Sequence, residues 1–172
     1  MPVTYQLISS NVLSSNAASV TFSSIPATYT DLVVRASARS SAASPYSDLL
    51  TTINNNTTQA NYLFTYLLGS GSTVYSGLGP DLKVNDSLTG DTATANTFSS
   101  IEYYIPSYTA NQTKPFSIIS NIVNNSTADW AIIPIAYNYQ STTAISTLKL
   151  SPPASVNFLS GSSFYLYGIK NS

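Results

Sequence analysis

The sequence predicts an all-β protein, an antiparallel β-sandwich of about eight to ten short strands, on three observations. Apolar residues recur with period two through most of the chain, which sends alternate side chains to opposite faces of a strand. Turn clusters of Gly, Pro, Asn and Ser return about every ten residues. Of 172 residues, 65 are Ser, Thr or Asn and 13 are Tyr, a mixture that suits pleated, half-buried surfaces and tight turns. Nothing repeats at a fixed period and no shift of composition marks a linker. Residues 1–172 therefore read as one domain, a jelly-roll-like sandwich.

Residues 5–9 open as a strand and 19–22 follow as the next. Residues 31–39 alternate: Leu32, Val34, Ala36 and Ala38 face one way, and Val33, Arg35, Ser37 and Arg39 the other. That is a half-buried strand with the arginines on its wetter side. Residues 48–54 and 62–68 come next, joined by the polar run Asn54-Asn55-Asn56-Thr57-Thr58. The second of these has the apolar content of a short helix, but its aromatics and the flanking Gly69-Ser70-Gly71 favour a strand. Residues 77–97 read as a long loop punctuated by Gly77, Gly79, Pro80 and Gly90, of a length that is often functional. Five strands follow, at 97–105, 115–123, 128–140, 144–150 and 162–170. Within the third, Trp130, Ile132, Pro134 and Ala136 alternate with Ala131, Ile133, Ile135, Tyr137 and Tyr139. Pro134 has no N–H to give to a ladder, so this strand is expected at a sheet edge or broken by a bulge. Leu32, Val34, Trp130, Ile132 and Leu166 are the expected core contributors.

Composition excludes a good deal. The absence of Cys removes disulfides and thiolate chemistry, and the absence of His removes the usual general base and the commonest metal ligand. Charged residues are 8% of the chain, against roughly 25% in typical domains. A net charge of −1 offers no field to hold nucleic acid or an anionic membrane. No secretory signal is visible, and the longest apolar stretch, 130–137, is too short to span a bilayer. So few charges give weak colloidal protection, which suits a chain whose surface is largely covered by copies of itself.

Three arrangements bear on chemistry. Glu102 sits between Ile101 and Tyr103 in a strand, the placement of a glycosidase acid, but no second carboxylate falls on its face. The serines have only four lysines and no histidine as bases, which leaves a serine nucleophile without its usual partner. The run from Asp81 to Asp91 gathers Asp81, Asn85, Asp86 and Asp91 in oxygen-rich sequence, yet its spacing does not fit a calcium loop and Asp and Asn are turn formers. The expectation is a binding protein rather than an enzyme, without cofactor or metal. Tyr103, Tyr137, Tyr139, Tyr165 and Tyr167 are the candidate interface residues, because tyrosine joins an apolar body to a hydrogen-bonding tip.

Two segments carry a resemblance. One is Val20-Thr21-Phe22, the turn Ser24-Ile25-Pro26, and Tyr29-Thr30-Asp31-Leu32; the other is Gly161-Ser162-Ser163-Phe164-Tyr165-Leu166-Tyr167-Gly168-Ile169-Lys170. Together they resemble small Ser/Thr/Asn-rich virion proteins of tailed bacteriophages, among them capsid decoration (cement) and tail-fibre-like proteins. The closing strand is similar to the last strand of trimeric jelly-roll heads. The resemblance implies a decoration protein made in the host cytoplasm. As a homotrimer it would sit on the outer capsid surface, with the major capsid protein as partner. Its alternatives are a tail-fibre or receptor-binding head that recognises host glycan and, further off, a glycan hydrolase. It transfers no catalytic residue.

Overall fold

The computed structural model describes residues 4–123 and 130–170, with the backbone alone at 84–86, 123 and 130. Among the described residues the chain forms twelve strands: β1 (Tyr5–Val12), β2 (Val20–Phe22), β3 (Asp31–Ala38), β4 (Tyr46–Ile53), β5 (Tyr62–Ser70), β6 (Thr73–Pro80), β7 (Lys83–Thr89), β8 (Ser99–Ile105), β9 (Lys114–Val123), β10 (Trp130–Tyr139), β11 (Leu148–Ser151) and β12 (Ser163–Ile169). They make an eight-stranded sheet in the order β1-β12-β3-β8-β9-β10-β5-β6 and a four-stranded sheet in the order β2-β11-β4-β7. Every strand pairing is antiparallel. Eight of the strands pair in nested fashion, β1 with β12, β2 with β11, β3 with β8 and β4 with β7. The other four are two hairpins, β5–β6 and β9–β10, which extend the larger sheet beyond β8.

Alternation explains the core. β8 reads buried, exposed, buried without a break from Ser99 to Ile105. Leu32, Val34 and Leu166 from the large sheet meet Leu49, Ile53, Leu148 and Leu150 from the small one in a single buried cluster. Each such side chain stabilises the fold by about 1.5–3 kcal/mol through removal from water. Hydroxyls stitch the two sheets through this core: Tyr103 Oη to Thr51 Oγ1 at 2.7 Å, Ser120 to the Ser87 carbonyl at 2.7 Å, and Tyr137 to the Lys83 carbonyl at 3.1 Å. A buried phenol without a partner would cost more than its ring gains, so these bonds are what admit tyrosine to the interior.

Several expectations change. Ile132 is 52% exposed while Ile133 and Ile135 are buried, so the opposite face of β10 is the inner one. The Trp130 side chain lies outside the described residues. β10 is central rather than at an edge, and its ladder with β9 runs unbroken through Pro134, opposite Ile119. The missing N–H is felt on the other side, where the β5 ladder skips Ile133 and Pro134. Residues 77–97 are mostly strand, forming the second half of β6 and all of β7. Their glycines mislead because Gly77 lies under a ring: a Cβ there would come within 2.6 Å of Tyr66. Arg39 turns inward beyond the end of β3 and is 5% exposed. Val33 is buried on the outer face, between its cross-strand neighbours Tyr167 and Tyr104.

The buried phenols set an alkaline limit. Burial pushes the Tyr62 phenol up from 10.0 to about 12, and raises Tyr103 and Tyr137 as well. A raised value means the fold favours the neutral form. The stabilisation is whole below the unfolded value near 10 and disappears as pH climbs through about 12 for Tyr62. Stability should therefore fall steadily above pH ~10. Phenolate absorbance should rise in two stages, exposed rings first and buried rings only with unfolding. A single reversible stage with the fold intact would contradict these placements.

Candidate functional site

The outer face of the eight-stranded sheet, turned away from the small sheet, carries exposed polar and apolar side chains. Register divides it into two zones. On β12, β3 and β8, Tyr165, Arg35 and Glu102 are neighbours in one row, and Ser163, Ser37 and Ser100 in the next. Small residues beside large ones leave an open groove of about 430 Å³, lined by these six and by Tyr167 among others. Arg35 Nε donates to Glu102 Oε2 at 2.9 Å, with the two side chains 62% and 47% exposed. An ion pair so wet contributes about 0–1 kcal/mol. The Tyr165 and Tyr167 rings stack along β12 with centroids 6.5 Å apart.

The second zone lies on β9, β10, β5 and β6. Alternate residues of these strands face outward: Pro115, Ser117, Ile119 and Asn121 on β9, then Ile132, Pro134, Ala136 and Asn138 on β10. Across the next two ladders stand Leu63, Thr65, Leu67 and Gly69 on β5, and Val74, Ser76, Leu78 and Pro80 on β6. None carries a charge. Ile119, Ile132 and Leu67 are each about half exposed, Val74 is 71% exposed and Leu78 84%. Together they form an exposed, uncharged apolar patch. The sequence holds a signal for it that the alternation pattern does not use. No charged residue occurs between Asp48 and Asp81, or between Asp129 and Lys149.

The expected interface tyrosines separate into two groups. Tyr165 and Tyr167 are half-buried on the outer face, in the groove. Tyr103, Tyr137 and Tyr139 are 0%, 3% and 2% exposed and belong to the core. Tyr103 and Tyr137 flank Phe116, whose ring lies 5.0 Å from that of Tyr137, stacked nearly parallel to it. Glu102 is held by Arg35 rather than standing in a pocket with another acid. Arg39 does not accompany Arg35 on the outer face; its guanidinium donates to the carbonyls of Asp91, Ala93, Thr94 and Thr97.

Most of the acidic run is strand, since β7 spans Lys83–Thr89, and only Asp81 and Asp91 lie in the bends at its ends. Asp81 Oδ1 accepts from the Lys83 N–H at 3.1 Å and from Gln59 Nε2 at 3.3 Å. Asp91 enters the bend beneath Arg39 through its backbone, its N–H bonding the Ala42 carbonyl. The Asp86 side chain lies outside the described residues. Among the described residues no three His, Cys, Asp or Glu side chains gather closely enough to hold a metal ion, and no helix is long and apolar enough to cross a membrane. A comparison with known protein families, curated proteins and solved structures finds no match.

Proposed function

We propose that this chain is a phage virion structural protein, a capsid decoration protein that binds the outer capsid lattice and stabilises it. The observation that carries the reading is the uncharged aliphatic zone on β9, β10, β5 and β6. A surface of this kind is costly to leave in water and suits broad, neutral contact with the major capsid protein, in which shape and apolar anchors supply the affinity. The nested strand pairing supports it too, since a double ribbon wound on itself is how a jelly roll is wrapped. The two added hairpins enlarge the outer face without enlarging the small sheet. Binding by such a face depends little on salt, because few exposed charges take part.

A second reading has its own observation. The groove with stacked Tyr165 and Tyr167, three serine hydroxyls and the Arg35–Glu102 pair has the chemistry to hold a sugar ring. That favours a receptor-binding head on a tail fibre, recognising host surface glycan. Quantitative gels of purified virions distinguish the two. The decoration reading expects hundreds of copies per particle, and particles lacking the protein that still adsorb but release DNA on mild heating. A handful of copies, recovered with the tail after disruption, would replace it with the tail-fibre reading.

A further inference from the structure

The two sheets have four open edges, β1, β6, β2 and β7, and each is a row of unpaired backbone donors and acceptors that invites another chain unless something blocks it. Three are blocked. β2 is three residues long. β1 pairs with β12 through a register shift between Leu7 and Ser9. β7 carries Lys83, ion-paired with Asp48, and its ladder with β4 shifts between Ser47 and Leu49. Bulges, shortness and charge are the usual devices against edge pairing.

β6 has none of them. It is eight residues long, pairs with β5 in unbroken register from Thr73 to Pro80, and holds no charge, with proline only at its last position. The hairpin also overhangs. Its last strand exposes Val74 and Leu78 on the outer face, at 71% and 84%, and Tyr75 on the other, at 56%.

We infer that the β6 edge is a self-association site, at which β6 pairs antiparallel with β6 of a second copy. The occupant follows from the strand's own chemistry. β6 offers an uncharged edge, and the surface complementary to it in length and in lack of charge is another β6, which brings no like charges together. The contact is isologous and closes at two copies, whereas the resemblance to phage virion proteins implies three. Antiparallel pairing in one continuous sheet puts the twofold axis normal to that sheet. The aliphatic outer faces of both copies then look the same way and form one surface of doubled width. Eight residues a side is at the small end of specific interfaces, so a micromolar dissociation constant is expected.

Light scattering behind size exclusion, over a dilution series of the purified chain, reads this directly. At tens of micromolar the mass should be twice the 18.3 kDa of one chain. In the double variant Val74→Lys, Leu78→Lys, both side chains are solvent-exposed, so folding is preserved, as an unchanged circular dichroism spectrum and melting midpoint will show. Opposed lysines should weaken the dimer about 100-fold or more. Ser10→Lys, the same change on the β1 edge, should leave the dimer intact. Hydrogen exchange adds a readout independent of the variants: amides of β6 should gain protection as concentration rises. A monomer at all concentrations, a dimer that survives the double lysine change, or a trimer broken by Ser10→Lys would each overturn the inference. None of these outcomes touches the lattice-binding reading, which stands or falls on copy number in the particle.

Discussion

Replacing Arg39 by Met is expected to lower the melting midpoint by about 9 °C, since a loss of ~3 kcal/mol moves a domain of this size by ~3 °C per kcal/mol. The side chain is 5% exposed, and its guanidinium reaches carbonyls at 3.0 Å (Asp91), 2.9 Å (Ala93), 2.6 Å (Thr94) and 3.0 Å (Thr97). These carbonyls curl around one point because a planar fork of donors is there to meet them. Without it the Asp91, Ala93 and Thr97 carbonyls lose the guanidinium, while the Thr94 carbonyl keeps the Thr97 N–H and hydroxyl. An acceptor left buried and unpaired costs about 1–3 kcal/mol unless the bend opens to water. Arg39→Lys should recover only part of the loss, because an ammonium is a point charge and cannot span the set. Thermal unfolding followed by circular dichroism measures both variants. A Met variant melting within ~2 °C of the parent would mean that the bend holds itself, against the partner-loss argument.

Phe158→Ala should cost about 3–5 kcal/mol, a fall of about 12 °C in the midpoint. Phe158 lies between β11 and β12, outside any strand, yet it is fully buried and its ring sits 4.8 Å from that of Phe164. Its backbone is pinned as well, exchanging N–H and carbonyl bonds with Ala17 at 2.8 and 3.0 Å and bridging Ser40. Because the backbone is held, the loop cannot collapse into the space left by the ring, and the cavity term stays at its upper range. Denaturant titration should show a lower midpoint with an unchanged slope, the sign of lost stability without a changed unfolded state. Phe158→Leu should recover most of the difference. Equal losses in Leu and Ala variants would place the cost in the ring's geometry rather than in the volume removed.

Both residues show where reading the chain in one dimension runs out. Arg39 continues an alternation that holds from Leu32 to Ala38, and period two alone sends it to the wetter face with Arg35. One residue past the strand the backbone turns, and the side chain finds a carbonyl cage more than fifty positions away. Phe158 carries no periodic signal at all. The candidate site divides in the same way. Tyr165 and Tyr167 lie on the outer face as an interface would need, while Tyr103, Tyr137 and Tyr139 went inside with their hydroxyls satisfied.

By itself the sequence determined the all-β class, the main strands and one face of most of them, because a strand with one side in water writes its burial into alternate residues. Leu32, Val34 and Leu166 were legible for that reason. On β10 the same rule is silent, since Ile132, Pro134 and Ala136 are as apolar as Ile133 and Ile135. Only the register with β9 and β5, and the position of the small sheet beneath them, decided which set is covered. β6 was hidden because its glycines read as a loop until the rings of Phe64 and Tyr66 were seen to lie over them. Local chemistry encodes the existence of a strand; contact with segments far along the chain decides which of two apolar faces remains exposed. In this protein that second decision created the aliphatic outer face.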